Sequence, residues 1–168
     1  MARIELPAGE GRDVLRALSV RPELRDAFVA LNVAIHESRL DPRLHELVRY
    51  RVAELDRCTY CLAWRSPAAR DAGVTDDLLS RVSRSAEDDG FTDAERLALD
   101  FTERFCGPST SIDDELVDRL RAHLGDDGVV ELTMAVGKYL AFGRFLQVLQ
   151  LDQACEVEPL PTGVAAVT

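Results

Sequence analysis

Apolar residues recur every three or four positions along almost the whole chain, and runs of alternating β-branched residues are missing. A period near 3.6 buries one face of a helix and cannot bury one face of a strand, so the pattern predicts an all-α protein. The punctuation agrees with the period. Pro22 suits a first helical turn, and Leu24, Phe28, Leu31 and Ile35 follow it as one stripe. Asp41-Pro42 is an oxygen-bearing cap before a first-turn proline, and Leu44, Leu47, Val48, Val52 and Leu55 continue that helix. Thr92-Asp93-Ala94-Glu95 reads as a capping box ahead of a helix to about Phe105. A further helix is predicted from Ser111–Asp114 to about Leu124, with a turn at Gly125 to Gly128 before a last long helix. Gly73 suits a left-handed helix end, and Pro67 should split the segment from Cys58 to Asp71, with Ser66 capping the second part.

With 168 residues, 46% of them hydrophobic, the chain can build one domain with a real core. The reading is a single domain over residues 1–155, followed by a tail, residues 156–168, that is flexible or wraps a partner. The formal charge of −10 repels phosphate backbones and anionic lipid surfaces, which argues against nucleic-acid and membrane partners. No signal segment or membrane span is read, and four cysteines in such a chain point to a reducing compartment, the cytoplasm.

Cys58-Thr59-Tyr60-Cys61 is the one spacing that implies chemistry. Two thiols three residues apart can close a disulfide, bind a soft metal or divide attack from resolution. No metal or cofactor pattern is read, because a zinc site needs two more spaced ligands and no second CxxC occurs. A turn near residues 55–56 would fold the flanking helices antiparallel and set Glu46 opposite Arg65, on the Cys61 face. If Cys58 begins its helix, both thiols sit in the first turn, where unpaired N–H groups favour a thiolate. The same residues also fit a plainer account, with Glu46 and Arg65 as an interhelical salt bridge and the cysteines as buried thiols. Tyr60 and Trp64 read as core or interface aromatics rather than ligand clamps, Cys106 and Cys155 as small buried hydrophobes, and His36, His45 and His123 as surface or capping residues.

Glu46, eleven residues, then Cys58-x-x-Cys61 in an all-helical chain resembles the carboxymuconolactone decarboxylase and AhpD-like alkylhydroperoxidase superfamily. The likeness extends through Gly73-Val74-Thr75 and Phe91-Thr92-x-x-Glu95-Arg96, so most of residues 22–153 are covered. The resemblance implies an AhpD-like helical bundle with a CxxC-bearing hairpin. It also implies a thiol-dependent peroxidase or disulfide oxidoreductase in which Cys61 attacks, Cys58 resolves and Glu46 serves a proton relay. The histidine of the family's relay is Arg65 here, and a guanidinium cannot shuttle protons near neutral pH. The substrate expected is a peroxide or disulfide, with an unknown thiol reductant, and the family implies a homo-oligomer, a trimer or hexamer. The alternatives are a decarboxylase-like enzyme acting on a small lactone acid and a noncatalytic oligomeric binding protein of the same fold.

Overall fold

The computed structural model describes residues 2–108 and 111–151. The expected tail, residues 156–168, and Cys155 lie outside the described residues. Helices α1 (Asp13–Leu18), α2 (Pro22–His36), α3 (Pro42–Leu55), α4 (Thr59–Ala63), α5 (Pro67–Asp71) and α6 (Asp76–Leu79) come first. A 3-10 helix (Val82–Glu87), α7 (Asp93–Cys106) and α8 (Asp114–Leu149) follow, and the described residues contain no strand. The all-α reading holds.

The helix starts are set by side chains that occupy the orphan N–H groups of the first turn. Asp41 accepts from the N–H groups of Arg43 and Leu44, Ser66 from Ala69, Thr75 from Leu78 and Asp113 from Leu116. At α7 both halves of the predicted capping box form. Gly73 takes φ +80° after α5, and Gly125 at φ +73° interrupts α8 where the turn was expected. Two short elements, α1 and the 3-10 helix, were not foreseen: each is six residues long, too short for a period to show.

Helices α3, α7 and α8 form the centre. Val48 and Val52 of α3, Ala98 of α7, and Leu120, Leu132 and Val136 of α8 are almost wholly buried together. The other side of α3 sends Leu47 to Leu79, Val82, Phe91 and Leu99. With both its sides covered, α3 is the rigid wall on which the CxxC segment is mounted. Next to that segment, Val14 of α1 and Phe142 and Leu146 of α8 join Cys58 and Tyr60 in a third cluster. No described helix is long and apolar enough to cross a membrane.

Candidate active site

The turn after α3 depends on Arg57, which adopts a left-handed conformation at φ 53° and reverses the chain into Cys58. Cys58 then stands at the N-cap of α4, and its sulfur accepts the N–H of Cys61 at 3.3 Å. The two sulfurs lie 2.6 Å apart as free thiols. The hydrogen bond between the thiols, followed by the Cys61 backbone N–H, lowers the Cys58 pKa against the opposing effect of burial. The same bond and burial hold Cys61 well above the ordinary thiol range. Helix α4 therefore favours a thiolate as its first-turn position suggests, and places that charge on Cys58.

Glu46 does not face Arg65. Its carboxylate takes a two-pronged bond from Arg49, one turn later on α3, with Nε to Oε2 at 2.8 Å and Nη2 to Oε1 at 2.7 Å. Glu46 is 2% exposed and Arg49 3%, so the pair is sealed inside the protein. The remaining donors of Arg49 reach the carbonyls of Cys61 (2.6 Å) and Trp64 (3.1 Å), and its guanidinium lies 5.0 Å from the Trp64 ring centre. One side chain thus ties the acidic residue of α3 to the second cysteine and to the C-terminal end of α4.

Arg65 is displaced for a simple reason. The chain leaves helical geometry at Trp64 (φ −77°, ψ 144°), two residues before Ser66-Pro67 starts α5. Arg65 swings outward to Asp76 at 3.1 Å and over the face of Tyr50, and it bonds the carbonyls of Leu62 and Trp64. Glu46 reaches the CxxC turn through Arg49, which bonds the Glu46 carboxylate and the Cys61 carbonyl, whereas Arg65 pairs with Asp76. Arg49 was missed, although Glu46-x-x-Arg49 on one helix gives the spacing for a same-face ion pair.

A partly open cavity of about 100 Å³ lies over the thiols. Its walls come from α1, α2, α3, α4 and α8, and are largely apolar: Val14, Leu18, Phe28, Tyr60 and Phe142, with Trp64 at the edge. Trp64 and His36 line this cavity, and so depart from the core and surface roles read from sequence. His36 stacks on His45 with ring centres 5.9 Å apart, and His45 Nε2 meets the Tyr139 hydroxyl at 2.9 Å. Burial, then the nearby cations, lowers His36 to about 4; burial, His36 and the cations lower His45 to about 3. His123 is exposed on α8, as expected.

Lys138 of α8, only 8% exposed, also lines the cavity, together with Asn32, Arg49 and Asp56. Its Nζ lies 4.1 Å from the Tyr139 ring centre, 5.7 Å from Phe142 and 6.0 Å from Phe28. Burial lowers its pKa to about 7. Helix α8 comes this close to the thiols at Gly143, where an added Cβ would run into the Asp56 carboxylate and sit 3.6 Å from the Cys58 Cβ. Among the described residues, no group of three or more His, Cys, Asp or Glu side chains is placed to hold a metal ion.

A model of the carboxymuconolactone decarboxylase family matches residues 22–104, which hold Glu46, Arg49 and the CxxC turn. The uncharacterised Escherichia coli protein YnjA is 32% identical over 108 residues, 64% of this chain and 59% of its own length. The uncharacterised Bacillus subtilis protein YdfG is 24% identical over 126 residues, 74% of this chain and 86% of its own length. Among solved structures, a protein of unknown function from Agrobacterium tumefaciens, considered a candidate AhpD of antioxidant defence, superposes with a TM-score of 0.73 at 24% identity. That match covers 84% of this chain and 97% of the other. The debrominase Bmp8 bound to 2,3,4-tribromopyrrole gives a TM-score of 0.72 at 18% identity, over 86% of this chain and 78% of the other. Residues 22–104 thus match the carboxymuconolactone decarboxylase family, and the helical bundle shares its fold with structures described as AhpD-like.

Proposed function

We propose that this protein is a thiol-dependent oxidoreductase that reduces a small peroxide, or exchanges with a disulfide, in the cavity over Cys58 and Cys61. The observation that carries the reading is the pair of free thiols 2.6 Å apart, opening on an apolar cavity with Arg49 and Lys138 beside it. At rest the pair's charge is favoured on Cys58. Cys61 is the less covered residue of the two and both cations favour its anion, and in this reading the proton crosses to Cys58 as Cys61 attacks.

Attack of the Cys61 sulfur on a peroxide R–O–OH breaks the O–O bond, leaving a Cys61 sulfenic acid and an alkoxide that takes up a proton to leave as the alcohol. Cys58 then attacks the oxidised sulfur, expels water and closes the Cys58–Cys61 disulfide, which an external dithiol reduces again. Glu46 supports this chemistry by fixing Arg49, a positioning role, since its carboxylate is fully engaged by the guanidinium. The antioxidant and debrominase neighbours are consistent with a thiol cavity that accepts small apolar substrates. A decarboxylase reading leaves the paired thiols without a task. As in the family, the active particle is expected to be a homo-oligomer.

The test is a single-turnover assay on the reduced protein with cumene hydroperoxide. The parent should consume about one peroxide per CxxC and form the intramolecular disulfide. Cys61→Ser should lose the burst and Cys58→Ser should keep it but stall at the sulfenic acid. A burst that survives in Cys61→Ser and vanishes in Cys58→Ser reverses the order of attack, and a full burst in both variants removes the thiols from the chemistry.

A further inference from the structure

We infer that the cavity over the thiols is built for a small, mostly apolar anion, a ring or short chain with one ionised oxygen group, and that Lys138 is the residue that recognises the charge. The inference rests on the reading of this cavity as the substrate site and goes further by naming the class of ligand. Lys138 is a nine-tenths buried ammonium on a cavity wall, and among the described residues it has no hydrogen bond or ion pair. Its neighbours are ring faces: Tyr139, Phe142 and Phe28. Such faces attract a cation but do not neutralise it, and an uncompensated buried ammonium is costly.

The other charges in the cavity are already committed. Arg49 gives its donors to Glu46 and to the Cys61 and Trp64 carbonyls, and Asp56 is held by Arg144 and Gln147. A single available cation in an apolar wall matches a ligand with one negative group, and would leave a second carboxylate of a diacid unpaired. Size points the same way. An engineered apolar cavity of roughly 150 Å³ holds benzene, so about 100 Å³ with an open side suits one ring whose substituent extends to the mouth.

The groups facing Lys138 are Arg49 and His45 from α3, Cys61 from α4, His36 from α2 and Tyr139 from its own helix. His36 and His45 are neutral above pH 6, and the Tyr139 hydroxyl is pushed above its ordinary value by burial. Once the thiols are removed, and with them the upward pull of Cys61, Lys138 is the group among these whose lowered pKa makes it lose its charge as the pH rises from 6 to 9.

The experiment is calorimetric titration of the full-length Cys58→Ser/Cys61→Ser variant with benzoate and with its neutral isostere benzamide. At pH 6 benzoate should bind at least about tenfold tighter than benzamide, a difference of about 1.4 kcal/mol. Lys138→Met should erase that preference by weakening benzoate alone. From pH 6 to pH 9 benzoate affinity should fall while benzamide affinity stays level, a readout that needs no substitution at Lys138. Equal affinities in the parent variant, or a preference that survives Lys138→Met or stays flat with pH, would overturn the inference. Because no turnover is involved, a benzoate preference in a protein whose thiols prove inert would sustain the anion subsite while refuting the thiol chemistry.

Discussion

Arg49 serves three partners at once, the Glu46 carboxylate and the carbonyls of Cys61 and Trp64, and the first two would be left without their donor if it were removed. Removing one member of a sealed ion pair strands the other charge at a cost of roughly 3–5 kcal/mol. Arg49→Met should therefore destabilise strongly, seen as a lower urea midpoint, and release the CxxC turn, seen as faster alkylation of both thiols. Adding Glu46→Leu should recover part of the lost stability, since two apolar groups can replace a sealed pair. If the single variant unfolds like the parent, the clamp account fails. Arg65 is the opposite case. It pairs with Asp76, which is highly exposed, and an exposed pair contributes about 0–1 kcal/mol. Arg65→His should leave both stability and single-turnover rate near the parent values, because the side chain points away from the thiols. A gain in peroxide turnover would restore the relay position its spacing suggested.

At the scale of elements, the approach of α8 to the CxxC turn is the contact most sensitive to one atom. Gly143 lies against Asp56 and Cys58, and a methyl group there meets a carboxylate already held by Arg144 and Gln147. Gly143→Ala should cost about 1–3 kcal/mol by overpacking and shift the alkylation rate of Cys58, while Gly137→Ala, whose added Cβ would meet only Phe105 at 3.7 Å, should not destabilise. Equal stability of the two variants would contradict the close crossing. The helices were legible from sequence because caps and period are local: Asp41-Pro42, Thr92 with Glu95, Ser66-Pro67 and Gly125 mark boundaries that the fold keeps. That one turn joins the helix of Glu46 to the CxxC segment was legible for the same reason. The placement of Arg65 was not. Antiparallel register assumes that both helices continue, and α4 ends at Ala63, so Arg65 follows an extended backbone outward. Lys138 was illegible for a different reason: besides the rings of its own helix it faces Phe28 of α2 and Cys61 of α4, far away in sequence, and a lysine in a long helix reads as solvated until the helix is packed.

The molecule as a whole leaves apolar surface unburied. Leu24 on α2 and Val130 and Met134, one turn apart on α8, are exposed, and a patch of this kind is what an assembly of copies would cover. Light scattering should give an oligomer mass for the parent and a smaller one for Val130→Glu/Met134→Glu; a monomeric parent at micromolar concentration would rule out the proposed assembly. The stability of the same molecule should be tied to pH by two rings in its interior. In the unfolded chain both histidines gain protons below about pH 6.5, whereas in the folded chain His36 waits until about 4 and His45 until about 3. Unfolding therefore takes up protons across this window, and stability falls as the pH falls. Lys138, lowered to about 7 in the folded chain, adds a fraction of a proton near the top of this window and progressively less toward pH 5. Urea unfolding at several values between about pH 6.5 and 5 should thus give a pH slope that steepens toward two protons taken up. His36→Gln/His45→Gln should flatten it, at the cost of the stacked pair and the bond to Tyr139. A parent slope near zero would mean that the rings take up protons in the folded state as readily as in the unfolded one. The cavity wall would then carry positive charge at mildly acidic pH that this packing should forbid.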